Sequence, residues 1–323
     1  MTIEPYPEDR PRTATVRSRL MLEVASELAG AEAWGPKQAL VRLRAQGSDE
    51  WAVSLFASDA VGAVADVASG DVDVAIVNPA TAVGPAVRGL APFSEPIPLA
   101  AIATIPSHDQ LGLAVAGFTR IEALDDLRGD HPPLRISLRG GRPDHSVHMI
   151  LRHVFDAVGA ALDDLMAQGD TLHMDEEIPH REPRRGRVLS GEREMVCDEG
   201  VYNWVEMATE AGFRFLSIPE KALEALEAMG YRRSVIERRR YPSLSADVTT
   251  IDFSGFMVYT RADAADDMVE AFCRAMLARR DRIPWQGGPT LPLERMVVDA
   301  EDAPIPIPLH AAAGRVWREA GLL

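Results

Sequence analysis

The sequence contains very little lysine and very little cysteine. Its 323 residues include two lysines, Lys37 and Lys221, and two cysteines, Cys197 and Cys273. So few lysines leave almost no candidate for a pyridoxal Schiff base or another lysine-dependent step. Two cysteines cannot form the disulfide framework of a small secreted domain, and they fit a reducing compartment. We expect Cys197, which lies in an apolar run, to be a core residue and not a nucleophile.

The motifs of several large enzyme classes are absent as well. There is no G-x-x-x-x-G-K-[ST] phosphate loop, no G-x-G-x-x-G dinucleotide fingerprint, no G-x-S-x-G nucleophile elbow and no H-E-x-x-H zinc motif. Residues that could ligate a metal occur without a recognised ligand spacing, at His145 and His148 and at His173, Asp175, Glu176 and His180. We therefore expect neither a cofactor nor a bound metal.

Positive charge and long apolar runs are also scarce. Lys and Arg total 34 against 49 Asp and Glu, a net charge of −15, which argues against nucleic acid or an anionic membrane as the partner. No run approaches the roughly 18 apolar residues of a membrane span. The first 20 residues contain arginines and no apolar core of a signal peptide, which predicts a cytoplasmic location. The sequence leaves open whether copies form a homo-oligomer.

Short apolar runs alternate with helical segments, and this pattern predicts an α/β protein built on largely parallel sheets. The clearest helix follows Asp144, which can cap it, and Gly159 can end it. Apolar residues recur at helical spacing between them, at Val147, Ile150, Leu151, Val154 and Val158. The charged segment 173–187 is predicted to be a surface loop.

The order of these runs predicts two lobes. A chain of this length favours two domains. The runs 99–105 and 111–116 follow each other across a short polar segment, and a second extended region spans 248–260. We predict one lobe from 12–105 plus 250–323, a second from 111–248, and a hinge at 106–110 and 248–254. The cleft between the lobes would be the ligand site.

Ligands of open α/β sheets bind beyond the carboxyl ends of strands, and three places here fit that rule. Asn78 follows the apolar run 72–77, where an amide precedes the backbone N–H groups of a helix start. Arg139 and Arg142 flank a glycine pair before the helix at 145–158. This second place suits an anion, although a flexible loop with solvated arginines has the same pattern. The predicted ligand contacts of this loop are Arg139, Gly140, Gly141, Arg142, His145 and Ser146.

The third place is the acidic pair Asp198 and Glu199 at the end of a short apolar strand. Neighbouring carboxylates suit a general acid or base, or an acceptor for a ligand hydroxyl or amine, and they equally suit capping of the next helix. Trp204 follows and would help to exclude water from the pair. All three are therefore candidate ligand contacts.

Several segments, in this order along the chain, resemble the TAXI branch of TRAP-transporter receptors, which are type II periplasmic solute-binding proteins. The segment SGDVDVAIV at 69–77 resembles a strand of type II proteins in general, and the segments that resemble the TAXI branch are GFRFLSI at 212–218, MGY at 229–231, YPSL at 241–244, DVTT at 247–250 and PLHAAAG at 308–314. The resemblance implies a two-lobed Venus-flytrap fold that captures a small solute, often a carboxylate. It places ligand contacts on Asn78, on the loop before the 145–158 helix and on Tyr241, and it would suggest a periplasmic location.

Two functions remain open at this point. The first is a solute-binding protein that closes on a small anionic or zwitterionic carboxylate. The arginines would bind the acid group, and Asp198 and Glu199 would bind a hydroxyl or an amine. The second is a cytosolic enzyme on the same scaffold, with Asp198, Glu199 or His145 as acid or base in a decarboxylation or isomerisation of a small carboxylic acid.

Overall fold

The computed structural model describes the chain from the first strand to the last helix, with short gaps. The described residues are 38–44, 51–58, 61–140, 145–283 and 290–323, with the single positions 24, 28 and 288. Within this part of the chain, no helix is both long and apolar enough to cross a bilayer.

The described residues form twelve strands and ten α-helices. The strands are β1 Gln38–Arg44, β2 Trp51–Ser58, β3 Val74–Val77, β4 Leu99–Ile105, β5 Gly112–Ala116, β6 Arg135–Arg139, β7 Thr171–Asp175, β8 Met195–Asp198, β9 Phe213–Phe215, β10 Arg233–Ile236, β11 Val248–Ile251 and β12 Phe256–Arg261. The helices are α1 Gly62–Ser69, α2 Gly84–Arg88, α3 Ser146–Val158, α4 Leu162–Gln168, α5 Arg184–Leu189, α6 Val201–Glu210, α7 Glu220–Met229, α8 Asp266–Arg279, α9 Leu293–Met296 and α10 Ala311–Glu319.

Two five-stranded sheets organise these elements. The first has the order β1-β2-β3-β12-β4 and the second has the order β7-β6-β8-β5-β9, while β10 and β11 form a hairpin. We call the parts of the chain that contain them the first lobe and the second lobe. Both sheets are mixed, so the prediction of largely parallel sheets is wrong. The strands that follow the crossings between lobes run opposite to their neighbours: β12 is antiparallel to β3 and β4, and β5 is antiparallel to β8 and β9.

The charged segment 173–187 is not the predicted surface loop. Its first residues belong to β7, and its last residues begin α5. Asp175 is 2% exposed and Arg184 is fully buried. Buried charges are tolerated when each pairs with an opposite charge, and here Asp175 pairs with Arg187 and Arg193, while Arg184 pairs with Asp198. Composition alone could not reveal that pairing.

Helix α3 confirms the helix predicted after Asp144. The five apolar residues that recur at helical spacing are all buried, and Gly159 ends the helix with a φ of 80°. The cap differs from the prediction. His145 lies at the cap position and its Nδ1 atom accepts a hydrogen bond from the Val147 N–H at 3.2 Å. Asp144 lies outside the described residues.

Two crossing segments connect the lobes, and they bond to each other. The Phe253 N–H donates to the Asp109 carbonyl at 2.9 Å, and the Asp109 N–H donates to the Ser254 hydroxyl at 3.0 Å. Gln110 pairs with Asp252 in an isolated antiparallel bridge. The two segments thus form a short bonded ribbon. The predicted lobe boundaries and the hinge at 106–110 and 248–254 stay a prediction.

The lobes also touch beside the crossing. One buried apolar cluster includes residues of both lobes, such as Val83 and Ile150. A side chain at Gly84 at the start of α2 would place its Cβ 2.9 Å from the carbonyl oxygen of Met229, at the end of α7. Only glycine permits this approach of the two helices. The described residues therefore show the lobes in close contact.

Replacement of Asp109 by asparagine is expected to change how stability depends on pH. Burial raises the pKa of Asp109 to about 7, although the Gln110, Gly200 and Val201 N–H groups donate to its carboxyl oxygens and oppose the rise. The folded protein keeps this proton up to about pH 7, whereas the unfolded chain releases it near pH 4. Raising the pH through this window therefore lowers the free energy of unfolding, by up to about 4 kcal/mol at about 1.36 kcal/mol per unit.

The Asp109→Asn variant cannot lose that proton. Urea unfolding at pH 4, 5, 6 and 7 should show that wild type loses stability relative to the variant as the pH rises. The exposed Asp164→Asn variant should run parallel to wild type. Equal pH slopes for wild type and Asp109→Asn would contradict the assignment.

Candidate functional site

The first predicted place, after β3, lies directly against the second lobe. The Asn78 amide nitrogen donates to the Gly255 carbonyl at 3.1 Å and thereby ties the end of β3 to the segment before β12. The Asn78 carbonyl accepts a hydrogen bond from the hydroxyl of Ser146, the first residue of α3. These two predicted residues therefore form a bond between the lobes.

The second and third predicted places meet in the second lobe. Arg139 ends β6, and its guanidinium donates to both oxygens of Asp198, at 2.7 Å for the shortest bond. The same group donates to the Glu199 carboxylate at 2.6 Å. Asp198 is fully buried, and the side chains of Arg139 and Glu199 are 15% and 13% exposed. Asp198 and Glu199 therefore bind Arg139, the arginine that the sequence analysis predicted to bind the acid group of a ligand.

A second arginine also forms an ion pair with the buried carboxylate of Asp198. Arg184 of α5 is fully buried and donates to Asp198, to the Ser137 hydroxyl at 2.8 Å and to the Glu177 carbonyl at 3.0 Å. Burial alone would raise the pKa of Asp198. The charges of Arg184 and Arg139 outweigh burial and hold that pKa below its ordinary value. Asp198 is thus an ionised carboxylate that two arginines neutralise.

An adjacent carboxylate is held in the same manner. Asp175 ends β7 and accepts hydrogen bonds from the Ser137 hydroxyl at 2.7 Å, from Arg187 at 2.6 Å and from Arg193 at 3.0 Å. Burial opposes ionisation of Asp175, but the hydrogen bonds from Arg193, Ser137 and Arg187 prevail and lower its pKa to about 2. Ser137 joins this carboxylate to Arg184, so both carboxylates belong to one buried network.

His145 connects the network to the space between the lobes. Its Nδ1 atom accepts the Val147 N–H and has no proton, so the neutral ring has its proton on Nε2. That Nε2 atom lies 3.9 Å from a Glu199 carboxylate oxygen. His145 can therefore present an N–H donor at the start of α3.

A cavity of about 340 Å³ lies between the lobes at this point. The first lobe contributes the start of α1 and the segment before β4, and the second lobe contributes the start of α3. The described lining residues are Val61, Gly62, Ala65, Pro92, Phe93, His145 and Met149. Gly62 begins α1, which has no side-chain cap and no acidic residue in its first turn. The amino ends of two helices, one from each lobe, therefore border the same cavity.

The other predicted site residues lie elsewhere. Trp204 is a core residue that stacks on Phe215, with ring centroids 4.9 Å apart, and its indole N–H donates to the Glu199 carbonyl. Tyr241 is buried in the same apolar cluster. Gly140 packs against β7, where a Cβ would lie 2.6 Å from the Met174 carbonyl oxygen. None of these described residues lines the cavity. Gly141 and Arg142 lie outside the described residues.

Sequence reasoning missed most of the cavity lining. Phe93 is a single apolar side chain between Pro92 and Ser94, and Met149 belongs to the apolar run 149–151, so nothing in their spacing distinguishes them from core residues. It also missed Arg184, whose burial depends on partners from three separate strands and loops. No group of three or more His, Cys, Asp or Glu suited to a metal ion occurs among the described residues. Cys197 is fully buried, as expected, and burial raises the pKa of its thiol.

Comparison with known proteins identifies a family. Residues 51–321 match the sequence profile of the NMT1-like family. No curated protein matches the chain closely enough to count as a relative. The fold is the two-lobed α/β fold of type II periplasmic binding proteins, which confirms the predicted fold class. The narrower assignment to the TAXI branch stays a prediction.

Similar solved structures share little sequence with this chain. The glycine betaine and L-proline-binding protein ProX of Borrelia burgdorferi is 13% identical, with a TM-score of 0.40, over 67% of this chain and 66% of ProX. XAC2383 of Xanthomonas citri, bound to ATP, is 14% identical over 82% of both chains, with a TM-score of 0.40. A TctC solute-binding protein from Polaromonas is 14% identical over 69% of this chain and 70% of its own, with a TM-score of 0.33. The chain thus spans slightly less than two thirds of ProX.

Proposed function

The chain belongs to the NMT1-like family, and we propose that it binds a small carboxylate-bearing solute in the cavity between its lobes. The observation that supports this most strongly is that residues of both lobes form the wall of the cavity. A volume of about 340 Å³ is within the range of small-molecule sites. A ligand there would contact both lobes at once and would stabilise their closed arrangement.

The preference for an acid rests on the helices and not on Arg139. The amino end of a helix has unpaired backbone N–H groups and a partial positive charge, both of which favour an anion. Here α1 and α3 both begin at the cavity, and His145 lines it. The Nε2 atom of His145 faces Glu199 and, like Arg139, would have to turn from that carboxylate to reach a ligand. Arg139 is bonded to Asp198 and Glu199 and would have to exchange a partner to reach a ligand.

The ion pairs of Asp198 with Arg139 and Arg184 favour a binding function over acid/base catalysis. A general acid or base must reach the reacting atoms and change its protonation near the working pH. Asp198 is fully buried, and Arg184 and Arg139 hold its pKa below the ordinary value. Native mass spectrometry with a panel of small carboxylic acids, followed by product analysis, tests the proposal. A bound acid that is recovered unchanged supports it, and a converted product would show an enzyme instead.

Replacement of His145 by asparagine is expected to weaken acid binding without loss of the helix cap. Asparagine is a good capping residue, so α3 should keep its start, but the Nε2 donor is removed. One net hydrogen bond of about 0.5–1.5 kcal/mol corresponds to a roughly three- to tenfold loss of affinity. Calorimetry measures it, with His173→Asn on β7 as the control. Unchanged affinity in His145→Asn would exclude this residue from the site.

A further inference from the structure

We infer that the solute is an acid with an apolar body of about the size of one ring, and that Phe93 and Met149 select it. This inference rests on the proposed function and narrows its ligand class. The cavity wall has one polar side chain, His145, among its described residues. The other side chains present carbon or a thioether. A wall of this kind matches the body of an apolar acid and offers little to the hydroxyl groups of a polyol or a sugar acid.

The wall combines two helix starts with apolar side chains. Helix α1 begins at Gly62, and α3 begins directly after His145. Phe93 comes from the segment before β4, and Met149 lies one turn after His145 on α3. A solute with its acid group at the helix starts would therefore place its body against Phe93 and Met149. Aromatic and thioether side chains make favourable contacts with a ring.

The size of the cavity fits the same class. An apolar cavity of about 150 Å³ holds a benzene molecule. The cavity between the lobes has about 340 Å³, which leaves room for a ring and a short acid-bearing chain. A ligand much larger than this would need the lobes to separate.

Two hydrogen bonds of His153, which we call the latch, connect the lobes beside Phe93. His153 of α3 donates from Nε2 to the Ala91 carbonyl at 2.8 Å, and the Tyr231 hydroxyl donates to its Nδ1 atom at 2.7 Å. Burial lowers the pKa of His153, in keeping with a neutral ring that both donates and accepts. The latch joins the lobes two residues before Phe93. The wall is thus positioned before a ligand arrives, which reduces the ordering cost of binding.

The test compares monocarboxylates with a ring-shaped apolar body and acids with a short polar body. Calorimetry with 3-phenylpropanoate and 3-cyclohexylpropanoate should show affinities at least about tenfold higher than with succinate or glutamate, because the ring buries apolar surface. Phe93→Ala and Met149→Gln should each weaken 3-phenylpropanoate binding by roughly tenfold. Phe118→Ala and Met166→Gln change exposed residues of the same types and should have no effect. Phe93 is partly buried against the main apolar cluster, so melting temperatures are measured to show whether each variant is folded.

Each result of these binding measurements tests a different claim. Tighter binding of succinate or glutamate than of 3-phenylpropanoate would overturn the apolar class and leave the proposed function standing. Full affinity for 3-phenylpropanoate in both Phe93→Ala and Met149→Gln would overturn the role of these residues. Binding of 3-phenylpropanol as tightly as of the acid, or no binding of any acid in the panel, would overturn the proposed function itself.

Discussion

Replacement of Arg184 by methionine is expected to lower the free energy of unfolding by about 3–5 kcal/mol, the typical cost of removing one partner of a buried ion pair. The guanidinium is fully buried and bonds to Asp198, to Ser137 and to the Glu177 carbonyl. Without it, Arg139 is the remaining cationic partner of Asp198 among the described residues, and the Ser137 hydroxyl loses a donor. Urea unfolding followed by tryptophan fluorescence measures the loss.

The neighbouring residue provides a matched control. Arg185 is half exposed and pairs with Glu182 on the surface, so Arg185→Met should change stability by less than about 1 kcal/mol. The double variant Arg184→Met/Asp198→Asn should be less destabilised than Arg184→Met alone, because it removes the uncompensated charge. If Arg184→Met and Arg185→Met were equally stable, the buried network would not hold the second lobe as described.

Replacement of Ala65 by tryptophan is expected to weaken solute binding strongly and leave the fold intact. Ala65 is exposed on α1 and lines the cavity, so an indole there would occupy the space of the ligand. The indole would prevent burial of roughly 120 Å² of apolar ligand surface. At about 25 cal/mol per Å², the binding free energy loses about 3 kcal/mol, which is a roughly 100-fold loss of affinity. Calorimetry with 3-phenylpropanoate, or with the tightest acid of the panel, measures this.

The control for Ala65→Trp lies on the same helix. Ser69 is exposed at the end of α1 and does not line the cavity, so Ser69→Trp should bind as wild type does. Both variants should melt near the wild-type temperature, because neither fills a buried space. Equal affinities for Ala65→Trp and wild type would place the solute somewhere else.

Local sequence patterns predicted helix α3, whose formation depends mainly on residues that are close to one another in the sequence. The apolar residues of α3 recur at helical spacing, and they are buried in the structure. The strand at 51–58 was missed, and the charged segment after 173 was predicted to be a loop. In the second case the reason is pairing over distance: Asp175 is buried because Arg187, Arg193 and Ser137 reach it from other elements. No window of sequence contains that information.

The strand-end rule selected side chains that lie close together in the structure, but it did not predict their contacts, and their role in ligand binding stays a prediction. The strand-end rule selected Asn78, Arg139 and Asp198, and the structure brings the last two into one ion pair and bonds Asn78 to Ser146 across the lobes. The rule could not show that Asp198 would neutralise Arg139. It also could not find Phe93 or Met149, since apolar residues that line a cavity have the same local pattern as residues that fill a core.

The most direct test of the central claim is a crystal structure of the protein with the acid that binds most tightly. The account predicts that the solute lies between the lobes, with its acid group at the starts of α1 and α3 and its body between Phe93 and Met149. A solute bound elsewhere, such as in the proline-lined groove near Pro96 and Pro308, with the cavity between the lobes empty, would contradict it.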